Sequence, residues 1–375
     1  MFLTVADENI PHVRQAFASI GDVCILNAES ITDKVCANAD ILLVRSVTRV
    51  DQSLLSQSRV RFVGSATAGV DHIDQTYLRK RGIQFTHAAG SNADSVVEYV
   101  LSALIRLSAL RMRPLAGLTL GIVGCGNIGG RLAVRASAFG LHILKNDPPL
   151  ANAGHSGFVD LETILAESDI ITLHVPGSSD TYHLIEKSAL QSMNPGVWLL
   201  NTSRGTVIDS TALSQVLDTD RIGATVLDVW ENEPTPDLEL LQKVTLGTPH
   251  IAGHSMDGKL QGTVMLYKAV TDYFGIQPSW DFERILQRDL PPPISVDPEP
   301  SSTWLYRLVR RLYDIQADDT RMRMLLDTSH DQVAGRFRRL RRKYPPRRAF
   351  DRHRVKGIPS SLLGTVREGL RVVCQ

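Results

Sequence analysis

The sequence predicts an α/β protein with two doubly wound parallel sheets and a small C-terminal α+β domain. Short apolar runs that are typical of buried strands alternate with polar segments of helical periodicity, and this alternation favours parallel strand pairing. The chain has 375 residues, which is too long for one ordinary hydrophobic core. A proline-rich segment at residues 289–300 interrupts the alternation, so we expect a third domain from about residue 286 onward.

The first sheet is predicted from five strand-like runs, at residues 3–5, 23–26, 41–44, 61–64 and 84–87. Residues 11–20 and 74–81 have the apolar spacing of helices that separate such strands. A long helix is predicted over residues 94–110, where Ser95 and Glu98 have the spacing of an N-terminal capping box. We expect this helix to carry the chain into the second domain.

The second sheet is predicted from six further runs, at residues 118–123, 142–145, 170–174, 198–201, 224–228 and 244–247. A helix over residues 258–274 would return the chain to the first domain. The predicted domains are therefore residues 1–93 with 258–285, residues 94–257, and residues 286–375. One α/β domain is inserted within the other, and we expect a cleft between them.

Composition argues against several classes of protein. Lys and Arg total 41 against 40 Asp and Glu, and this net charge of +1 predicts no general attraction to nucleic acid or to a membrane surface. No apolar run reaches the roughly 18 to 20 residues of a membrane span, and the first residues lack the features of a signal peptide. The four cysteines have neither zinc-ligand nor CxxC spacing, so we expect reduced thiols, no metal site and a cytoplasmic location.

Residues 124–129, Gly-Cys-Gly-Asn-Ile-Gly, form a glycine-rich loop between a predicted strand and a predicted helix over residues 127–139. In this context Gly124 allows a tight turn, Gly126 lets the backbone approach a pyrophosphate, and Gly129 lets helix and strand pack closely. The helix N-terminus favours phosphate, and Asp147 at the end of the next strand suits the hydroxyls of an adenine ribose. The loop predicts a Rossmann domain that binds NAD rather than NADP, beside a flavodoxin-like first domain.

Three reactive side chains follow later strands of the second sheet. Arg204 follows the strand at residues 198–201, Glu233 lies in a turn after the next strand, and His250 follows the last one. Ligands bind at this edge of open α/β sheets. An arginine can hold a carboxylate through two parallel bonds, a histidine can take a hydroxyl proton, and an acid can stabilise the imidazolium that results. Together they predict hydride transfer from a 2-hydroxy acid to NAD.

These motifs resemble those of the D-isomer-specific 2-hydroxyacid dehydrogenases. The resemblance rests on the glycine loop, on Asn-Thr-Ser-Arg-Gly at residues 201–205, on residues 228–234 and on His-Ile-Ala-Gly at residues 250–253. It implies that Arg204, Glu233 and His250 are catalytic. It implies NAD contacts at Gly124, Gly126, Asn127, Ile128, Gly129, Asp147, Val175, Thr202, Ser203, Asp228 and Gly253.

The likeness is greatest to a branch of that family that oxidises a phosphorylated four-carbon sugar acid on the route to pyridoxal phosphate. It implies substrate contacts at Ser46 and Thr67, and at His254, which stands where a tyrosine is usual. Val175 likewise stands where a threonine is common. We place the substrate phosphate beside Ser46 and Thr67 at two strand ends, and we add Arg45 as a partner that the resemblance does not assign.

The resemblance also implies that the third domain makes the protein a homodimer. On a predicted helix over residues 302–313, the side chains of Leu305, Leu308, Val309 and Leu312 share one face. That face would either meet a second subunit or pack within its own chain.

Two other functions stay open at this stage. One is a related dehydrogenase acting on phosphoglycerate, glyoxylate or hydroxypyruvate, and the other is an NAD-sensing binding protein. The arginine-rich run at residues 336–344 favours the latter, because such a run can bind phosphate backbones. The alternative for the run is a solvated or interface helix, and we expect no nucleic-acid partner.

Overall fold

The computed structural model describes residues 1–288, 290–298 and 303–375. Parts of the predicted proline-rich segment (residues 289 and 299–300) and residue 302, where a helix is predicted to begin, lie outside the described residues. The chain forms two compact units. Unit 1 comprises Met1–Asn92 and Ser255–Leu290, and unit 2 comprises Ala93–His254 and Pro291–Gln375.

The strands form three sheets in which every pairing is parallel. In chain order they are β1 (Phe2–Asp7), β2 (Gly21–Leu26), β3 (Ile41–Val44), β4 (Phe62–Ser65), β5 (Gln84–His87), β6 (Thr119–Val123), β7 (His142–Asn146), β8 (Ile170–Leu173), β9 (Val197–Asn201), β10 (Ile222–Leu227), β11 (Leu246–Gly247), β12 (Ile294–Ser295), β13 (Arg354–Lys356) and β14 (Val373–Cys374).

The α-helices connect and cover these strands. In chain order they are α1 (Val13–Phe17), α2 (Asp33–Cys36), α3 (Gln52–Leu55), α4 (Gln75–Lys80), α5 (Ala93–Arg111), α6 (Gly129–Ser137), α7 (Pro148–Asn152), α8 (Leu161–Glu167), α9 (Lys187–Ser192), α10 (Ser210–Leu217), α11 (Leu238–Lys243), α12 (Met256–Phe274), α13 (Glu283–Leu286), α14 (Trp304–Leu312), α15 (Ile315–Arg323) and α16 (His330–Arg342). None of the described helices is both long and apolar enough to cross a bilayer.

Unit 1 is built on a five-stranded sheet with the order β2-β1-β3-β4-β5. Its central strands β3 and β4 are buried along their whole length, as expected when helices cover both faces of a parallel sheet. The last residues of these strands, Val44 and Ser65, are paired. The segments that follow β3 and β4 therefore leave the sheet side by side at its carboxyl edge.

Unit 2 contains a six-stranded sheet with the order β11-β10-β9-β8-β6-β7 and a small sheet with the order β12-β13-β14. Each strand of the two large sheets lies where the sequence predicts one, to within two residues at either end. The α/β class with doubly wound parallel sheets is therefore confirmed. Residues 291–375 belong to the same compact unit as the six-stranded sheet, and the boundary of a separate third domain at residue 286 stays a prediction.

The predicted capping box at Ser95 and Glu98 is wrong. Helix α5 begins at Ala93, so both residues lie inside it, and both are buried. The Glu98 carboxylate accepts the backbone N–H of Phe350 at 2.8 Å. Burial raises the pKa of Glu98 to about 7, against the opposing effect of nearby arginines. The Ser-x-x-Glu spacing is therefore no sign of a helix start here. Glu98 is present inside α5 because its buried carboxylate binds the distant residue Phe350.

Helix α14 packs against α5 of its own chain. Leu308, Val309 and Leu312 are buried, and they share one hydrophobic core with α5. The interpretation in which this face meets a second subunit is therefore wrong. An amphipathic pattern shows that a face is covered but does not show what covers it.

Candidate active site

The glycine loop joins β6 to α6, and its three glycines have different surroundings. Gly124 has a φ of +88°, and a Cβ there would lie 2.7 Å from the carbonyl carbon of His174. A Cβ at Gly129 would lie 2.0 Å from the carbonyl oxygen of Gly124. A Cβ at Gly126 would meet no atom within 4 Å. The protein's own packing thus requires Gly124 and Gly129, whereas Gly126 borders open space that suits a closely approaching pyrophosphate.

Asp147 is held beside this loop by two backbone donors. Its carboxylate accepts the N–H of Cys125 at 2.7 Å and, as the N-cap of α7, the N–H of Leu150 at 3.1 Å. A fixed acid at this strand end fits the recognition of ribose hydroxyls. Val175 borders the loop through its backbone, since its nitrogen lies 2.9 Å from the Cβ position at Gly124.

His250 and Glu233 form a hydrogen-bonded pair between the ends of β11 and β10. The Nδ1 atom of His250 lies 2.7 Å from Oε2 of Glu233, whose Oε1 accepts the N–H of Trp230 at 3.0 Å. Burial acts to raise the pKa of Glu233, but the bond and charge of His250, the Trp230 N–H and the charge of Arg341 outweigh it, and the pKa is lowered. An ionised carboxylate can only accept a hydrogen bond, so Nδ1 of His250 donates to Glu233, and in the neutral ring Nε2 is then the acceptor.

The backbone of His250 is fixed by Asp228. His250 has a φ of +58°, and its N–H donates to the carbonyl of Asp228 at 2.7 Å. The Asp228 carboxylate accepts the hydroxyl of Thr248 and the N–H groups of Ile251 and Ala252, at 2.6, 2.8 and 2.9 Å. Such an uncommon backbone conformation persists only where neighbours enforce it. Asp228 thus shapes the segment around the histidine, while its contact with NAD stays a prediction.

Arg204 follows β9 in a turn that Asn201 organises. Oδ1 of Asn201 accepts the N–H and hydroxyl of Ser203 at 3.0 and 2.7 Å, and Nδ2 donates to the carbonyl of Arg204 at 2.9 Å. The Arg204 stem lies over Gly177, where a Cβ would be 3.0 Å from Cγ of Arg204. Arg204, Glu233 and His250 therefore all lie in unit 2, each just beyond the carboxyl end of a strand of one sheet.

Sequence reasoning missed His174, which links two strand ends beside the glycine loop. Its ring nitrogens lie 3.0 Å from the hydroxyl of Thr172 and 3.2 Å from that of Thr202. Desolvation by burial lowers the pKa of His174 to about 3. The ring is therefore neutral, and it positions Thr202 without adding charge. No motif singles out this histidine, because its role depends on which strands are neighbours.

In unit 1, the predicted phosphate contacts lie at one edge of the sheet. Arg45 and Ser46 follow β3, and Thr67 follows β4. The guanidinium of Arg45 donates to the carbonyl of Asn9 at 2.9 Å, and the Thr67 hydroxyl lies 2.8 Å from that of Ser65. Ser46 is exposed and Thr67 is half-buried. This edge offers a cation and hydroxyl groups together.

A second cation at this edge, Lys259, was also missed. It lies in the first turn of α12, three residues before Gly262 and thus on the same helix face. A Cβ at Gly262 would lie 3.2 Å from the carbonyl oxygen of Ala66, so this face passes close to the end of β4. Burial and the charge of Arg45 lower the pKa of Lys259. The two cations are therefore near enough to repel each other, as expected where an anion is to be bound.

The segment after His250 meets the C-terminal part of unit 2. The ring of His254 contacts that of Tyr344 edge-on, with centroids 5.7 Å apart, while the Tyr344 hydroxyl donates to Asp318 at 2.8 Å. Arg347 is buried and donates to the carbonyls of Ala252 and Ser95 at 2.7 and 3.2 Å. The C-terminal residues therefore help to fix the segment that follows His250.

Comparison with known protein families identifies the NAD-binding part of this arrangement. Residues 94–252 match the D-isomer specific 2-hydroxyacid dehydrogenase, NAD binding domain, and residues 289–368 match a domain of unknown function. A solved D-lactate dehydrogenase from Aquifex aeolicus, complexed with NAD and lactic acid, is 26% identical with a TM-score of 0.60. The match covers 72% of this chain and 95% of that one.

Curated relatives match over nearly the whole chain. The erythronate-4-phosphate dehydrogenase of Salinibacter ruber is 46% identical, and the match covers 98% of each chain. The protein of the same name from Azotobacter vinelandii is 42% identical over 94% of each. The glycine loop, the acid beside it and the Arg204, Glu233 and His250 set match that chemistry, and NAD is the cofactor. The chain belongs to the erythronate-4-phosphate dehydrogenases of the D-isomer-specific 2-hydroxyacid dehydrogenase family.

Proposed function

We propose that this protein oxidises 4-phospho-D-erythronate to 2-oxo-3-hydroxy-4-phosphobutanoate with NAD. The observation that carries this proposal is the pairing of Glu233 with His250 at 2.7 Å, in a unit that also holds Arg204 and the glycine loop. The names of the curated relatives support this substrate. The family resemblance implies that the reaction lies on the route to pyridoxal phosphate.

The oxidation removes a hydride from C2 and a proton from the hydroxyl on the same carbon. Arg204 holds the carboxylate through paired charge-assisted bonds. Nε2 of His250 accepts the hydroxyl proton, and Glu233 stabilises the imidazolium that forms. NAD, held by the glycine loop and Asp147, supplies the acceptor for the hydride when it is bound. The proton on His250 then leaves to solvent, and the 2-oxo acid is released.

We propose that the phosphate of the substrate binds at the edge of unit 1 formed by Arg45, Ser46, Thr67 and Lys259. A phosphate dianion offers three oxygens, and it gains most from two cations together with hydroxyl donors. The charge of Arg45 contributes to lowering the pKa of Lys259, which supports this assignment. A bound anion would relieve the repulsion between the two cations.

A substrate panel tests this assignment. With NAD we expect 4-phosphoerythronate to be preferred over erythronate, 3-phosphoglycerate and glycerate. Arg45→Ala and Lys259→Ala should each lower kcat/KM for 4-phosphoerythronate by roughly 10- to 150-fold, which is the effect of one charged hydrogen bond. Erythronate should be affected much less. Lys268→Ala, which removes an exposed lysine from the same helix, is the matched control.

The panel also separates this function from its alternatives. Preference for 3-phosphoglycerate or for glyoxylate and hydroxypyruvate would assign another dehydrogenase of the family. Equal losses for phosphorylated and unphosphorylated substrates in both variants would place the phosphate elsewhere.

We further propose that the protein is a cytoplasmic homodimer with residues 286–375 as the dimerisation domain. The support for this comes from the family resemblance. Because α14 packs on its own chain, another surface of that segment must form the contact. Sedimentation of the full-length chain tests the dimer, and a monomer at micromolar concentration would contradict it.

A further inference from the structure

Unit 2 contains a cavity of about 440 Å³ between α15, α16 and the segment that carries His250. Its apolar lining includes Pro249, Met324, Leu325 and Leu340. Met324 is 61% exposed, which is uncommon for a large apolar side chain inside a concave site. A volume of this size is typical of small-molecule sites that bury an apolar body.

The charged side chains of the cavity are almost all cations. Arg321, Arg336, Arg339 and Lys343 line it, together with one acid, Asp318. The carboxylate of Asp318 is already bound by Arg321 at 2.6 Å, by Tyr313 at 2.9 Å and by Tyr344 at 2.8 Å. Its capacity as an acceptor is therefore largely used within the protein, and the charge offered to a ligand is positive.

The arginine-rich run at residues 336–344 is divided between two faces of α16 and its C-terminal extension. Arg336, Arg339 and Lys343 have the spacing of one helix face, and all three line the cavity. Arg338 and Arg342 occupy another face, and neither of them lines the cavity. Among the described residues, no carboxylate forms an ion pair with Arg339 or Lys343. Three cations of the run therefore border the same concave site.

The walls of the cavity are anchored to the six-stranded sheet. Arg323 of α15 binds Asp319 at 2.9 Å and donates to the carbonyls of Leu241 and Val244 at 3.1 and 2.8 Å. Asp319 in turn accepts the N–H of Gly247 at 2.8 Å. Phe337 of α16 is fully buried in the core of that sheet. A site formed by such fixed elements needs little ordering when a ligand binds.

We propose that this cavity binds a small amphipathic anion: an apolar or aromatic body that carries a phosphate, sulfonate or carboxylate group. The apolar body would lie against Met324 and Leu340, and the anionic group would lie beside Arg339 and Lys343. Because Pro249 precedes His250, such a ligand would contact the segment that carries the catalytic histidine. The proposed ligand is thus a third molecule, in addition to NAD and the substrate.

Fluorescence titration with 8-anilino-1-naphthalenesulfonate tests the proposal on the full-length protein, with saturating NAD to occupy the nucleotide site. The double variant Arg339→Glu with Lys343→Glu should weaken binding of this probe by about tenfold or more. Arg338→Glu with Arg342→Glu makes the same change of charge on the other face, and it should change binding by less than about twofold. Retained dehydrogenase activity shows that each variant is folded. If the double glutamate variant of Arg339 and Lys343 does not fold, the double variant Arg339→Gln with Lys343→Gln replaces it.

Competition defines the ligand class. Benzyl phosphate should displace the probe at lower concentration than benzyl alcohol, which lacks the charge, or inorganic phosphate, which lacks the ring. Equal weakening in the two double variants, or no binding once NAD is saturating, would overturn the proposal. So would a change of sedimentation from dimer to monomer in the Arg339 and Lys343 variant, because the cavity would then be a contact between subunits.

Discussion

At the scale of single residues, the proposed chemistry depends on one histidine, His250, that is fixed at both its backbone and its ring. Asp228 binds the backbone of His250 and of the two residues after it, while Glu233 binds Nδ1. The two acids have separate tasks, since Asp228 is buried and engaged by the protein and only Glu233 faces the ring. In the proposed mechanism, this division leaves Nε2 of His250 for proton transfer.

Replacing His250 by glutamine should lower turnover by roughly 10²- to 10⁴-fold, because the general base is lost. NAD affinity should stay nearly unchanged, since the glycine loop is untouched. Steady-state kinetics and an NADH fluorescence titration measure the two effects. His155→Gln, at an exposed position of unit 2, is the control. Near-normal turnover in His250→Gln would show that another group takes the proton.

Replacing Glu233 by glutamine should move the acidic limb of the kcat/KM profile to lower pH. The lowered pKa of Glu233 keeps its carboxylate charged through the working range, and an amide cannot support an imidazolium in the same way. The pH profile of the variant checks this. If the limb stays in place while the rate falls, Glu233 only orients the ring.

At the scale of elements, the site could be predicted because parallel strands present their carboxyl ends at one edge. Arg204 and His250 each follow a strand-like run, and the structure has both residues just beyond strand ends, while their catalytic roles stay predictions. Strand ends do not reveal Lys259, because it lies on helix α12. The packing of α12 near the end of β4 is a feature of tertiary structure that the local sequence does not show. The capping-box spacing at Ser95 and Glu98 failed for the same reason, since a distant segment at Phe350 uses the acid.

The glycine loop allows a paired prediction at this scale. Gly126→Ala should leave the thermal midpoint nearly unchanged but weaken NAD binding by about tenfold or more, because its Cβ enters open space where the pyrophosphate approaches. Gly129→Ala should instead lower the midpoint, because its Cβ would lie 2.0 Å from the carbonyl oxygen of Gly124. Thermal unfolding and NADH titration distinguish the two. Loss of stability in both variants would refute the separate roles.

At the scale of the whole molecule, the C-terminal residues belong to the same unit as Arg204, Glu233 and His250. Helix α14 covers α5, and Arg347 donates to the carbonyl of Ala252, two residues after His250. Composition and periodicity predicted a C-terminal segment with helices. They did not predict that this segment belongs to the same compact unit as the six-stranded sheet. Long-range contacts such as that of Arg347 leave no local pattern in a single sequence.

The stability of unit 2 should depend on pH through His174. Its pKa is lowered to about 3 in the folded protein, against about 6.5 in an unfolded chain. As pH falls below 6.5, the unfolded state therefore takes up a proton that the folded state does not, and stability decreases until the folded group also titrates. Between pH 7.5 and pH 5 this contribution amounts to at most about 2 kcal/mol. Guanidinium unfolding across that range, followed in the wild type and in His174→Asn, measures it. The wild type should lose more stability than the variant, with His155→Asn as the exposed control, and parallel losses in all three proteins would show that His174 titrates normally in the folded state.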